Sequence, residues 1–116
     1  MKTKLARLTL VLSSTALLVL STGATAAVDA EAAKALAKKN DCFKCHAIDK
    51  TKKGPSYQKI AAKYKGKEAE GEQKMQKNIT TGPKVKLEDG TEEDHKIIDT
   101  KDPAEIKNLI YWILAQ

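Results

Sequence analysis

The chain has 116 residues, 31% of them charged, 41% hydrophobic and only 4% aromatic, with 21 basic against 15 acidic side chains. That length suits one small domain. Three of the basic residues and none of the acidic ones fall within the first 26, so residues 27–116 carry a net charge of only +3, which argues against a protein that works by neutralising nucleic-acid phosphates.

The first 26 residues read as a secretory signal rather than as part of the fold. Lys2, Lys4 and Arg7 form a basic start, Leu8 to Leu20 an apolar run, and Ala24-Thr25-Ala26 a small-residue cleavage site. The apolar run falls short of the ~20 residues a membrane helix needs. No arginine pair marks a twin-arginine route, and no cysteine at the cleavage point marks a lipid anchor. The expectation is Sec export to the periplasm, leaving a soluble mature domain of residues 27–116.

In chain order, the first helix is expected over residues 30–39. Asp29 is its N-cap, and Ala33, Leu36, Ala37 and Asn40 share one stripe. Directly after it stand Cys42-Phe43-Lys44-Cys45-His46, and these two cysteines are the only ones in the chain. C-x-x-C-H is the attachment pattern for a c-type haem. Two thiols about a turn apart bond the two vinyl edges of one porphyrin, and the following histidine is held as an axial nitrogen ligand of the iron. Three other readings compete. The cysteines suit a redox dithiol of the thioredoxin kind, but no strand pattern surrounds them. With His46 and His95 they make four zinc donors, but Cys45 and His46 are adjacent and the spacing matches no known finger. A plain disulfide is the third.

A lysine-rich loop, residues 49–55, ends in Gly54-Pro55. The second helix is expected over 56–64, capped by Ser56, with Tyr57, Ile60, Ala61 and Tyr64 on its apolar face. The third spans 70–80, with Met75 and Ile79 four residues apart. Gly82-Pro83 ends it and opens a polar loop to about residue 101. Within that loop Asp89-Gly90 reads as a turn rather than a calcium site, because Val85 stands where the first ligand should be. Asn78-Ile79-Thr80 matches a glycosylation sequon by chance, inside a helix. The last helix has the fullest set of start signals: Asp102 as cap, Pro103 at the first helical position and Glu105 completing a capping box. Ile106, Leu109, Ile110 and Ile113 follow at helical spacing, beside Tyr111 and Trp112. The fold class expected is all-α, about four helices around one covalently bound haem.

The mature chain resembles the small monohaem class I cytochromes c of bacteria. The likeness rests on the 42–49 run Cys-Phe-Lys-Cys-His-Ala-Ile-Asp, on Gly54-Pro55-Ser56-Tyr57 and on the last helix with Trp112. It implies thioethers at Cys42 and Cys45, His46 as proximal iron ligand, and the Pro55 carbonyl accepting the other ring N–H of His46. It also implies that the first helix crosses the last, with Leu36 near Leu109 and Trp112, and that Met75 and Ile79 line the haem pocket. The family's sixth ligand is usually a methionine in the loop before the last helix. This chain departs there, because residues 82–101 contain no methionine and the only one beyond Met1 is Met75. The loop instead holds His95, 17 residues before Trp112 and the sole histidine besides His46.

His95 is therefore expected as distal ligand. The alternatives are Met75, a loop lysine such as Lys84 or Lys86, and an open sixth site. A second imidazole favours ferric iron and lowers the potential relative to a methionine. The function expected is single-electron transfer by a non-enzymatic carrier. The alternatives are a gas-binding or sensing haem protein and a haem subunit of a larger oxidoreductase. Its partners are expected to be redox proteins docking on Lys44, Lys50, Lys52 and Lys53, without membrane or nucleic acid, by a monomer. Lysines crowd residues 34–86, whereas 88–105 holds eight acids, Glu88 to Glu105. That dipole serves either as a solvated face or to orient docking. A core this small depends on the haem, so the haem-free chain is expected to be largely unfolded.

Overall fold

The computed structural model describes residues 27–116, so the proposed signal segment lies outside it. Four helices form where the spacing predicts them: α1 Ala30–Lys39, α2 Tyr57–Tyr64, α3 Glu68–Thr81 and α4 Pro103–Leu114. The Asp29 carboxylate accepts the Ala32 N–H, and the Ser56 hydroxyl accepts the Lys59 N–H, each satisfying one otherwise orphaned donor of the first turn. At α4 Asp102 caps Ala104 as expected. The capping box, however, is closed through a third residue. The Asp102 N–H donates to the Thr100 hydroxyl, which in turn donates to Glu105.

α4 is the central element and packs against α1, α2 and α3. Its apolar face supplies Ile106, Leu109, Ile110, Trp112 and Ile113, all buried, facing Ala33 and Ala37 of α1. Those two alanines are 0% exposed, which lets the α1 backbone approach α4 closely. Leu36 packs at the edge of this cluster, as expected. The start of α1 is clasped to α4: the Asp29 N–H donates to Asn108 Oδ1 at 2.8 Å, and Asn108 Nδ2 donates to the Asp29 carbonyl at 2.9 Å. Gly71 permits the crossing of α3, since a Cβ there would lie 2.8 Å from the Tyr64 ring and 3.1 Å from Leu114.

The structure differs from the all-helical expectation in one place. The segment read as a polar loop contains a two-stranded antiparallel hairpin, β1 Lys84–Lys86 with β2 Glu92–Asp94, Val85 opposite Glu93. Residues 87–91 close it, the Leu87 N–H donating to the Thr91 carbonyl at 2.7 Å around a three-residue turn. The Gly90 N–H donates to the Leu87 carbonyl, and Gly90 takes φ 87°, the left-handed conformation that suits the end of such a loop. The domain remains mostly helical, with the hairpin as an appended strap.

Candidate haem site

Asp41 takes a left-handed backbone, φ 58°, which a short polar residue tolerates, and turns the chain out of α1 into a single 3-10 turn over Cys42–Lys44. The N–H groups of Cys45 and His46 both donate to the Cys42 carbonyl, so the two thiols stand one turn apart with His46 next in line. Both cysteines are free, so the disulfide reading fails. Burial pushes the Cys42 thiol up, the opposite of an activated dithiol. Among the described residues no three His, Cys, Asp or Glu side chains cluster as ligands for a bare metal ion, so the zinc reading fails too.

Beside this turn lies a cavity of about 870 Å³, within the range of small-molecule and cofactor sites. Cys42, Cys45, His46 and His95 all line it, as do Met75, Ile79 and the Pro55 backbone. Every site residue singled out from the sequence is thus gathered on one cavity. Met75 is buried among apolar neighbours on α3. Asn78, one turn further along α3, also lines the cavity, and its Oδ1 is buried without a hydrogen-bond partner.

The two histidines face each other. Their ring centroids are 6.3 Å apart and their planes meet at 40°. Each uses Nδ1 on a backbone carbonyl: His46 at 2.7 Å from the Pro55 oxygen, His95 at 2.9 Å from the Lys96 oxygen. With Nδ1 carrying the proton, each ring is left with Nε2 as a lone-pair donor. Two imidazoles bound on opposite sides of one first-row metal ion, at bonds of about 2.0–2.1 Å, have centroids about 6 Å apart. Burial pushes His46 below its usual range, opposed by its bond to Pro55, and His95 adds to the lowering, so the ring is held neutral as a ligand must be.

His95 is positioned from both sides. Its N–H donates to the Pro83 carbonyl at 2.9 Å, and three residues on the Ile98 N–H donates to the Ile79 carbonyl at 2.8 Å. Gly82 ends α3 in the left-handed region at φ 59°, and a Cβ there would meet the His95 carbonyl oxygen at 2.8 Å. Asn40 pins the segment to α1: its Nδ2 donates to Asp99 Oδ1 and its Oδ1 accepts the Asp99 N–H, at 3.0 and 2.9 Å.

Some contributors were not singled out as site residues. Val85 and Leu87 of the hairpin line the cavity, and the alternation Lys84-Val85-Lys86-Leu87 before Asp89-Gly90 is the sequence signal for them. Gly54 lies against the His46 ring, where a Cβ would come within 2.8 Å of Cε1. The expected docking lysines are largely engaged within the chain. Lys44 pairs with Asp41 at 3.2 Å, Lys53 with Glu93 at 3.8 Å, and Lys52 donates to the Phe43 carbonyl. Of the four, Lys50 alone has no ion pair or side-chain hydrogen bond among the described residues.

Residues 30–116 match the protein family described as Cytochrome c, and the chain belongs to that family. It is therefore an electron carrier, not an enzyme, with one haem c. Among solved structures it is similar to the class 1 cytochrome MtoD from Sideroxydans lithotrophicus ES-1, with 56% identity, 77% of this chain and 97% of that chain covered, and a TM-score of 0.71. It is also similar to a deletion mutant of cytochrome c552 from Nitrosomonas europaea, with 28% identity, coverage of 71% and 96%, and a TM-score of 0.54. No curated protein sequence gives a match. No described helix is long and apolar enough to cross a membrane.

Proposed function

We propose that the chain is an exported, bis-histidine cytochrome c of lowered potential. Cys42 and Cys45 would carry the thioethers, and His46 and His95 would hold the iron. The observation that carries this is the 6.3 Å separation of the two imidazoles across the cavity, each with Nδ1 anchored on a backbone carbonyl. The haem supplies one reversible electron at its iron. The protein would supply two imidazole nitrogens held in place by backbone carbonyls and a largely apolar wall, so its own side chains would move little on transfer. Export to the periplasm is supported by the basic start, apolar run and Ala24-Thr25-Ala26 of the leader.

The test is the optical spectrum of the purified holoprotein, ferric and ferrous, with and without carbon monoxide. The expected result is low-spin iron, no long-wavelength methionine–iron band and no response to carbon monoxide. A high-spin or readily carbonylated protein means an open sixth site and overturns the assignment of His95.

A further inference from the structure

The ring of His46 is held by more than its hydrogen bond. Tyr57, at the start of α2, stacks on it with centroids 5.4 Å apart and planes within 20°. Tyr57 is 2% exposed and is itself wedged edge-on against Trp112 at 5.4 Å and Phe43 at 5.9 Å. Its backbone is fixed as well, since the Tyr57 N–H donates to the Ala47 carbonyl at 2.9 Å, joining α2 to the residue after His46. The tight approach of Gly54 to Cε1 and the Pro55 carbonyl on Nδ1 restrain the same ring. The hydrogen bond at Nδ1 fixes which nitrogen faces the iron and helps restrain rotation about the iron–nitrogen axis. A parallel ring on its face blocks that rotation directly, because turning the imidazole would drive it into the tyrosine.

We infer that Tyr57 is the positioning residue of the proximal ligand, setting the rotational angle of the His46 plane and keeping water from that face. This rests on His46 and His95 both binding the iron, as proposed above. Two consequences follow from the chemistry of low-spin ferric iron. The orientation of an axial imidazole plane decides which iron d-orbital takes its π-donation, so the plane angle is read in the rhombicity of the electron paramagnetic resonance spectrum. A dry apolar environment disfavours the additional charge of the ferric state, so the ring raises the potential.

The experiment compares wild type, Tyr57→Phe and Tyr57→Leu holoproteins by low-temperature electron paramagnetic resonance and redox titration. Wild type and Tyr57→Phe are expected to show one narrow low-spin species with the same g-values, because the ring is retained. Tyr57→Leu is expected to remain low-spin but to show shifted, broadened g-values and a lower potential. Unchanged g-values and potential in Tyr57→Leu overturn the inference. Should that variant fail to load haem, the other two still decide: several species in wild type, or different g-values in Tyr57→Phe, overturn it, and one shared species upholds it. Failure of the ligand assignment itself is seen separately, in the wild-type optical spectrum.

Discussion

At the scale of single residues, the site is governed by what each histidine does with its second nitrogen. A protein-bound imidazole has two nitrogens, and tying one to a carbonyl commits the other. His46 and His95 share this arrangement although they sit on unrelated elements, one after a 3-10 turn and the other after a β-strand. Replacing His95 by methionine substitutes a thioether that favours ferrous iron. A rise in potential on the order of a hundred millivolts is expected, a fraction of the roughly 0.8 V that axial ligands span. Redox titration of His95→Met checks this, and an unmoved potential removes His95 from the iron. The glycines at 54 and 82 act at the same scale, leaving out a Cβ where the His46 ring or the His95 backbone must pass.

At the scale of elements, the start of α4 and the segment after His95 form one unit. Thr100 links the Asp102 N–H to Glu105, while Asp99 is tied to Asn40 and to Lys39, whose Nζ lies 2.9 Å from its carboxylate. Replacing Asp102 with alanine removes the cap on Ala104 and is expected to cost about 1 kcal/mol, measured by denaturant unfolding of the holoprotein. Asp99 gives the unit a pH dependence. Lys39 first, then Asn40, hold its carboxyl below the usual range. A group depressed in the folded state stabilises above its unfolded value, about 3.9, and loses that contribution as pH falls through the folded one. The wild type is therefore expected to lose stability relative to Asp99→Asn as pH drops below about 4. Unfolding curves of the two proteins between pH 3 and 6 show whether their difference shrinks, and a constant difference contradicts it.

At the scale of the whole molecule, α4 packs on all three other helices, and α2, α3 and the hairpin also turn side chains toward the cavity beside His46. Without its haem the domain has lost the body that most of its walls pack on. The chain with both cysteines replaced by alanine is expected to show little helical circular dichroism, and a compact, cooperatively unfolding apoprotein contradicts this. Charge at this scale is mixed rather than segregated. The acidic residues 88 to 99 fold back onto the lysines, as in the Lys53–Glu93 and Lys59–Glu88 pairs, so the dipole suggested by the linear sequence is partly cancelled on folding.

Much of this protein was legible before any coordinates. The cofactor followed from the five residues Cys42 to His46, because attachment chemistry needs that local spacing. All four helices follow from local signals: caps and apolar stripes for α1, α2 and α4, with Asp102, Pro103 and Glu105 marking the start of α4, and the Met75–Ile79 spacing with the Gly82-Pro83 break for α3. In the loop where the resemblance expects the sixth ligand there is no methionine but there is His95, whose place at the iron is the reading proposed above. What the linear chain left undecided was everything that depends on distant residues meeting. The hairpin reads as loop in the sequence because its strands are three residues each and almost wholly exposed, so burial imprints no more than the short alternation at 84–87. The stacking of Tyr57 on His46 looked like one more apolar position on a helix face. The facing of the two imidazoles at 6.3 Å depends on Gly82, Pro83 and Asn40 acting together. Residue type and short-range spacing determine which chemistry the chain carries; only the packing of α3, α4 and the strap decides where the two histidines stand, since that distance is a sum over contacts far apart in sequence.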